Sequence, residues 1–206
     1  MPAFARVIDE AIDAGDVAAV LLRLEPDDER ALISRARALG AIVQRRDIAL
    51  LLDGHVEIAT RAGMDGAHLT GVAALTPALG KLKPDRIAGV GGLRSRHDAM
   101  LAAEYGADYV LFGEPSPYPH AREGGERGGR PRFAALEERL AWWAELFELP
   151  CVGYAASLDE VVPLAQRGAD FIALGDWIWM RQGQLDGPAE VIAAATRRLA
   201  AAAGQS

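Results

Sequence analysis

RAGMDGAHL at residues 61–69, EYGADYVLFG at residues 104–113 and QRGADFIALG at residues 166–175 are three copies of one pattern. Each copy has a glycine suited to ending a helix, then one or two small or acidic residues, then a short apolar run. Such short, apolar runs are typical of strands that are buried on both faces. The pattern therefore predicts three places where a helix ends and a buried strand begins.

Strands and helices alternate along the rest of the chain. Four more apolar runs predict strands at residues 17–24, 47–52, 86–91 and 150–154, which makes seven strands with the three copies. Apolar residues at helical spacing predict helices at residues 3–14, 26–39, 56–62, 73–81, 95–105, 133–147, 158–166 and 186–203. Gly40 is interpreted as the end of the second helix, and residues 114–132, rich in proline, glycine and arginine, as one long loop. This alternation indicates an α/β fold of parallel strands covered by helices.

A series of seven or eight such units closes most economically into a TIM-type (β/α)8 barrel, with an open doubly wound sheet as the alternative. The even unit lengths, and the lack of a Gly-x-Gly-x-x-Gly turn after the first strand, favour the barrel. Because the chain begins with a helix, the first strand of this barrel is missing. Either the start is truncated relative to an eight-stranded barrel, or the barrel has a gap between the first and last strands, covered by a partner subunit or by rearranged termini. We expect a single domain spanning residues 1–206.

Composition excludes several classes of protein. The 206 residues carry a net charge of -7, so no basic surface for nucleic acid or an anionic membrane is expected. Cys151 is the only cysteine and cannot form an internal disulfide. With no signal peptide and no apolar run of about 20 residues, a cytoplasmic protein is predicted.

Four blocks of the sequence resemble the thiamine phosphate synthase and thiazole tautomerase superfamily. They are DVAAVLLRLEPDD, LLLDGHVEIATRAGMDGAHLTG, GADYVLFGEPSPYPH and LPCVGYAASLDEVVPLAQRGADFIALGDWIW, and the resemblance runs from about residue 4 to residue 179. It implies a TIM barrel, a transferase that couples a pyrimidine pyrophosphate to a thiazole phosphate with Mg²⁺, and a homodimer.

The resemblance also implies which positions after the strands should bind substrate and metal. Arg23 stands where the family grips pyrophosphate, but the neighbouring lysine position holds Glu25. Neither aspartate that would bind the metal is at its expected position; Asp53 lies one position early, with His55 just behind it. We therefore predict Arg23, Asp53 and His55 as ligand-binding residues, no metal ligands, and no cofactor unless Asp53 forms a shifted Mg²⁺ site. A rim ion pair of Arg23 with Glu25 or Asp53 is the alternative.

Glu114 is the candidate catalytic residue. The resemblance places it where the tautomerase branch has a histidine that shuttles protons, and a carboxylate at a strand end can act as a general acid or base. A rim ion pair to Arg122 or Arg127 is the alternative. Where the family has phosphate-binding threonines, this chain has Tyr118, His120 and Arg122, which are predicted to bind ligand.

The two phosphate-binding turns implied by the resemblance are also altered. The first reads YAAS at residues 154–157, and the second contains Asp176 and Trp177. Alanine Cβ atoms and a carboxylate oppose the close approach of a phosphate. Tyr154, Asp176 and Trp177 are therefore predicted to bind a ligand other than a phosphate, although Asp176 could instead cap the next helical turn. Trp177 and Trp179 could also pack the last helix onto the barrel.

Two functional interpretations remain open. One is an enzyme of thiamine biosynthesis, either a divergent synthase or a relative of the tautomerase. The other is a repurposed, non-catalytic barrel, a pseudoenzyme that binds a neutral aromatic heterocycle of the thiazole or pyrimidine type. His68 is interpreted as a structural hydrogen-bonding residue. After the fourth strand, where the resemblance implies polar side chains, the sequence reads Gly91-Gly92-Leu93. Together with the altered positions named above, this loss of polar side chains disfavours the coupling reaction.

Overall fold

The computed structural model describes residues 2–25, 27–115, 132–180 and 186–204. Its strands are β1 (Ala19–Leu22), β2 (Ala49–Asp53), β3 (Gly66–Thr70), β4 (Ile87–Gly91), β5 (Tyr109–Phe112), β6 (Cys151–Ala155) and β7 (Phe171–Leu174). Its helices are α1 (Pro2–Ile12), α2 (Glu29–Val43), α3 (Val56–Ala62), α4 (Val72–Leu82), α5 (Arg96–Tyr105), α6 (Phe133–Leu146), α7 (Leu158–Gln166) and α8 (Pro188–Ala203). Two short 3₁₀ helices, η1 (Gln44–Arg46) and η2 (Asp176–Trp179), complete the described elements. The predicted alternation of helices and strands is confirmed.

The repeated glycines do end helices. Gly63, Gly106 and Gly168 all have a positive φ, at 77°, 96° and 91°. Glycine adopts this left-handed conformation without the steric cost that a Cβ would add. Each copy of the pattern therefore turns the chain from a helix into the next strand, as the sequence predicts.

The aspartate of each copy fastens its strand to the preceding one. Its carboxylate accepts the backbone N–H of a residue at the start of that neighbouring strand, and its own N–H donates to the carbonyl of the same residue. The carboxylate bonds are Asp65 to Leu50 at 2.7 Å, Asp108 to Ala88 at 2.7 Å and Asp170 to Cys151 at 2.8 Å. Three equivalent pairs of hydrogen bonds thus fix the register at the amino ends of the strands.

The strands are parallel and each pairs with the next along the chain, from β1 to β7. The sheet is curled like that of a TIM-type barrel but is not closed, since no pairing joins β1 to β7 within the described ranges. This agrees with the expectation that the barrel lacks one strand. At the two unpaired edges of the described sheet, Leu21 of β1 is 39% exposed and Phe171 of β7 is 47% exposed.

The first and last helices pack against each other. Helix α1 packs against both α2 and α8. The N–H of Asp16 donates to the hydroxyl of Thr196 at 3.4 Å, and the ring of Phe4 stacks on Trp179 with centroids 5.5 Å apart. These contacts join the terminal helices to each other outside the sheet. The predicted cover of the gap by rearranged termini or by a partner subunit stays a prediction, as does the predicted homodimer.

The two faces of the sheet have different roles. Alternate residues of the central strands point to the helices and form the main core; they include Leu50, Leu52, Ala67, Leu69, Ala88, Val90, Val110 and Phe112. The residues between them line the inside of the curl, where β3 to β5 contribute His68, Gly89, Gly91 and Tyr109. This alternation is the two-residue period of a strand. It leaves the polar side chains of the inner face close to one another.

Helix α2 does not end at Gly40 as predicted. It continues to Val43, and Gly40 is buried within it. A Cβ at this position would lie 2.8 Å from the terminal methyl carbon of Met64, so the glycine allows close packing and does not act as a stop. No helix in the described ranges is long and apolar enough to cross a membrane.

Candidate functional site

Charged side chains meet at the carboxyl ends of the strands. Arg23 follows β1, Asp53 ends β2, Glu114 follows β5, and Asp176 opens η2 after β7. The Nε of Arg23 donates to Oδ2 of Asp53 at 2.7 Å, and its Nη1 lies 3.8 Å from Oδ2 of Asp176. One arginine therefore connects β1 to β2 and reaches across the gap toward β7.

This mouth of the sheet is acidic. The hydrogen bond that Arg23 donates to Asp53 raises the pKa of Arg23 above its ordinary value, and the charges of Asp176 and Glu114 act in the same direction. Among the residues that the structure describes, three carboxylates thus face a single guanidinium that is already paired. An incoming phosphate would be repelled by the excess negative charge. The predicted ion pair between Arg23 and Asp53 is present.

The Mg²⁺ that the family resemblance implies does not fit the described donor set. The carboxylate of Asp53, which a shifted metal site would need, is bonded to Arg23. Elsewhere in residues 2–25, 27–115, 132–180 and 186–204, no group of three or more His, Cys, Asp and Glu side chains is placed to hold an ion. The guanidinium occupies the position that a cation would take beside this carboxylate.

A buried histidine lies beneath Glu114. His68 of β3 is only 1% exposed, and its Nδ1 lies 2.8 Å from the hydroxyl of Tyr109. Its Nε2 lies 3.4 Å from Oε2 of Glu114. Within the described chain, His68 Nε2 and Glu114 Oε1 are both buried and have no hydrogen-bond partner. The three side chains form a row that ends at the mouth, which we call the Tyr109–His68–Glu114 row.

Glycines on β4 make room for this row. A Cβ at Gly91 would lie 2.0 Å from Oε1 of Glu114 and 2.8 Å from Nε2 of His68. A Cβ at Gly89 would lie 2.0 Å from the ring of Tyr109. All three distances are shorter than a van der Waals contact, so any larger residue at Gly89 or Gly91 would displace the row. The two glycines therefore provide the space that the side chains of the row occupy.

Tyr109 is held as a neutral phenol. Burial raises its pKa above the ordinary value, and the negative charges of Glu114, Asp53 and Asp108 raise it further. An ionised tyrosine would lie in a poorly solvated space beside these carboxylates. Its hydroxyl hydrogen therefore remains available for donation over the whole physiological pH range.

The two aromatic residues predicted to bind ligand lie at the ends of β6 and β7. The Tyr154 hydroxyl fills the space beside Gly175, where a Cβ would lie 1.7 Å away. The indole N–H of Trp177 donates to the carbonyl of Ala155 at 2.7 Å, which fastens η2 to the end of β6. The structure therefore places both aromatic residues at the mouth.

Other predicted site residues fall outside this constellation. His55 precedes α3, and no hydrogen bond or ion pair within the described ranges joins it to Arg23 or Glu114. Tyr118, His120 and Arg122 lie outside the described residues, as does Arg127, the alternative partner of Glu114.

One structural role at η2 differs from the alternatives. Asp176 is the first residue of η2, not its N-cap, and no side chain caps this helix within the described chain. Its carboxylate faces Arg23 instead. Trp179 is 43% exposed and stacks on Phe4 of α1, and η2 also contacts the last helix, α8, as the packing alternative for Trp177 and Trp179 expects.

The interpretation of His68 as a structural hydrogen-bonding residue agrees with its contact to Tyr109. The sequence did not point to Tyr109 or to the contact between His68 and Glu114. A usable signal was present, because His68 is an inward position of β3 and the facing strand β4 has glycine at two inward positions. Small residues opposite a histidine indicate that a cavity wall has been cleared for other side chains.

Comparison with known proteins agrees with this architecture. The sequence model described as "Thiamine monophosphate synthase" matches residues 2–178. The chain belongs to the thiamine monophosphate synthase family. It is 38% identical over 195 residues to the "Thiamine-phosphate synthase" of Rhodospirillum centenum, covering 93% of this chain and 88% of that protein. It is 34% identical over 198 residues to the protein of the same name from Hyphomonas neptunium, covering 93% and 85%.

The fold has a solved counterpart as well. "Thiamine phosphate pyrophosphorylase" from Pyrococcus furiosus superposes with a TM-score of 0.72 at 20% identity, covering 98% of this chain and 89% of that one. At that identity the match shows the fold alone. Family membership confirms the resemblance found in the sequence and connects the chain to thiamine biosynthesis.

Proposed function

We propose that this family member binds an uncharged aromatic heterocycle of the thiazole or pyrimidine type and does not couple a pyrimidine pyrophosphate to a thiazole phosphate. The observation that carries the proposal is the pairing of Arg23 with Asp53 at 2.7 Å, with Asp176 on its other side. The arginine that should attract a pyrophosphate is neutralised by these carboxylates, and Glu114 adds a further negative charge. An anionic substrate would have to displace them.

The aromatic side chains at the mouth support a flat ligand. Tyr154 and Trp177 lie at the ends of adjacent strands, and both are partly buried. Aromatic rings recognise heterocycles by stacking and by edge contacts, without a need for opposite charge. An uncharged heterocycle satisfies this environment better than one that carries a diphosphate.

Glu114 is the group that we propose for chemistry, in the manner of a tautomerase. Its carboxylate takes a proton from one atom of the heterocycle, so that an X–H bond breaks and an O–H bond forms. After exchange with solvent, it returns a proton to a different atom of the same ring. The reaction is an isomerisation, with no net gain or loss of atoms or electrons, and needs no metal.

Synthase activity is the second candidate function. The names of the relatives at 38% and 34% identity favour it, since both are called "Thiamine-phosphate synthase". On this interpretation Arg23 would leave its carboxylate partners when substrate binds. The two candidates therefore predict different results for Arg23→Ala: a synthase would lose its activity, whereas a protein without synthase activity would stay at the background rate.

A coupling assay separates them. The purified protein is mixed with hydroxymethylpyrimidine pyrophosphate, thiazole phosphate and Mg²⁺, and thiamine phosphate is measured. We expect product at the background rate for the wild type, for Arg23→Ala and for the control Arg6→Ala, an exposed arginine of α1. Product far above background that is lost in Arg23→Ala and kept in Arg6→Ala would contradict the proposal.

A proton-exchange assay tests Glu114. Uncharged hydroxyethylthiazole is incubated with the protein in D₂O, and deuterium incorporation is followed by NMR. Glu114→Gln should lower the enzymatic rate by at least about 100-fold, the typical contribution of general acid–base catalysis. The control Glu145→Gln lies on the outer face of α6 and should keep the full rate. An equal rate in Glu114→Gln would remove this residue from the chemistry.

A further inference from the structure

We propose that Tyr109 and His68 are positioning residues that hold Glu114 ready to accept a proton. In this arrangement the Tyr109 hydroxyl donates to Nδ1 of a neutral His68, so that the histidine proton resides on Nε2 and faces the Glu114 carboxylate. The inference rests on the proposed role of Glu114 and adds the two hydrogen bonds that would hold its carboxylate in place. Neither residue would touch the ligand.

The first step is the hydrogen-bond accounting of Tyr109. Its hydroxyl has one hydrogen to donate, and its contact within the described chain is Nδ1 of His68 at 2.8 Å. If Nδ1 carried the proton, the hydroxyl would accept, and its own hydrogen would lack a described acceptor. Buried polar hydrogens are almost always paired. Donation from Tyr109 to Nδ1 is therefore the arrangement that satisfies both groups.

The second step concerns the opposite side of the imidazole ring. A neutral histidine carries one ring proton, so acceptance at Nδ1 leaves the proton on Nε2. This atom is buried and faces Oε2 of Glu114 at 3.4 Å. A shift of a few tenths of an ångström would bring the pair to the ordinary length of a hydrogen bond. Gly91 leaves the space in which this approach occurs.

The third step is the choice between a neutral and a charged histidine. Within the described ranges, the charged groups near the row are Asp53 and Arg23 from β2 and β1, Asp176 from η2, and Asp108 just before β5. Arg23 balances Asp53 by its hydrogen bond, and Lys83 forms an ion pair with Asp108. At 1% exposure, His68 would lose nearly all its hydration as an imidazolium. The neutral ring with its proton on Nε2 is the form that we infer.

In this arrangement His68 donates a hydrogen bond to Glu114 but does not transfer its proton. The Nε2–H donates to the ionised carboxylate and so stabilises it before the ligand binds. When the carboxylate takes a proton from the heterocycle, His68 keeps its own proton and stays neutral. The proton that Glu114 takes up exchanges with solvent before one is returned to the ring, and His68 and Tyr109 undergo no net change.

Nitrogen-15 NMR of the histidine side chains tests the tautomer directly, with the full chain and without ligand. The His68 signals are assigned by their loss in His68→Gln. We expect the proton on Nε2 and an unprotonated Nδ1 at pH 7.5 in the wild type. A proton on Nδ1 alone, or on both nitrogens, would overturn the proposal whether or not any variant folds.

Removing the donor supplies the second measurement. Tyr109→Phe should convert His68 to a mixture of tautomers, whereas the control Tyr105→Phe, an exposed residue of α5, should leave the spectrum unchanged. An Nε2–H tautomer that persists in Tyr109→Phe would overturn the proposal.

The kinetic readout separates positioning from simple stability. In the proton-exchange assay, Tyr109→Phe should lower kcat about tenfold with KM unchanged, because Glu114 loses its directed donor while the ligand contacts remain. An unchanged kcat, or an equal change in kcat and KM, would overturn the proposal. If Glu114→Gln has no effect on exchange, the proposed function fails, and the NMR result still decides the tautomer.

Discussion

The amino ends and the carboxyl ends of the strands differ in what they repeat. At the amino ends, Asp65, Asp108 and Asp170 make the same two bonds to the preceding strand. At the carboxyl ends the same three strands are not followed by one repeated arrangement: β3 ends in Thr70-Gly71, whereas β5 and β7 are followed by a glycine and a carboxylate, Gly113-Glu114 and Gly175-Asp176. The repeated end maintains the strand register, and the varied end carries the candidate chemistry.

The largest effect is expected where the repeated end is broken. Asp65→Ala removes the acceptor for the N–H of Leu50 and for the side-chain amide of Gln44, at 2.7 and 2.9 Å. A backbone N–H left without a partner should lower the free energy of unfolding by about 2 kcal/mol. Urea unfolding monitored by circular dichroism measures it.

The matched control is an aspartate at the other end of the sheet. Asp176 is 89% exposed and only 3.8 Å from Arg23, so Asp176→Ala should change the free energy of unfolding by less than about 0.5 kcal/mol. Equal losses in the free energy of unfolding for Asp65→Ala and Asp176→Ala would show that the aspartates at the two ends of the strands contribute equally to stability.

A smaller change in stability is expected at Gly91, together with a large change at the site. The Cβ of Gly91→Ala would lie 2.0 Å from Oε1 of Glu114, so the carboxylate has to move away. We expect a loss of about 1 kcal/mol from overpacking and a proton-exchange rate near that of Glu114→Gln. Wild-type exchange in this variant would mean that the row does not depend on the space at Gly91.

Gly80→Ala is the control for adding one methyl group. This glycine lies in α4, and in the part of the chain that the structure describes no neighbouring atom comes within 4 Å of the place that a Cβ would take. Alanine also favours a helix more than glycine does, so the variant should gain about 0.5–1 kcal/mol in the free energy of unfolding, with unchanged exchange. Destabilisation in Gly80→Ala would show that the α4 surface is not open.

The fold was largely predictable because its determinants are local. A glycine that must adopt a positive φ, such as Gly106, shows in the sequence wherever a helix ends before an apolar run. Gly40 shows the limit, since its role depends on Met64, which packs against it from a distant part of the chain. The missing strand of the barrel was also predictable, because the count of apolar runs is a local property, and the described sheet is open between β1 and β7.

The site was less predictable because its contacts join distant residues. The sequence pointed to Arg23, Asp53, Glu114 and Asp176 as residues that follow strands, and the ion pair of Arg23 with Asp53 was one of its alternatives. It could not show that His68 lies beneath Glu114, since 46 positions separate them along the chain and the contact depends on an absent Cβ in β4. Whether side chains on different strands meet depends on how the strands pack together, which the local sequence does not show.

The smallest effect on stability is expected from the thiol of Cys151, the first residue of β6. Burial raises the pKa of Cys151 to about 11, which leaves only about 0.1% as thiolate at pH 8, against roughly a quarter for an unperturbed thiol. Alkylation of the folded protein at pH 8 should be at least about 100-fold slower than that of the urea-unfolded chain. Fast alkylation of the folded protein would show that the start of β6 is open to solvent.

The same shift gives a pH dependence with a definite sign. The pKa of the folded thiol lies above that of the unfolded thiol, so its contribution to stability is complete below about pH 8.5 and is lost as the pH rises toward 11. A Cys151→Ser variant should lack this component of the loss at alkaline pH. An identical alkaline loss in both proteins would assign it to other groups.

The central claim is that the varied end of the strands no longer binds a phosphate. Isothermal titration calorimetry with hydroxyethylthiazole and with its phosphate ester compares the same ring with and without the anion. The acidic mouth around Arg23, Asp53, Glu114 and Asp176 predicts that the uncharged alcohol binds at least as tightly as the ester. Binding of the ester more than about tenfold tighter, equivalent to about 1.4 kcal/mol, would contradict the account.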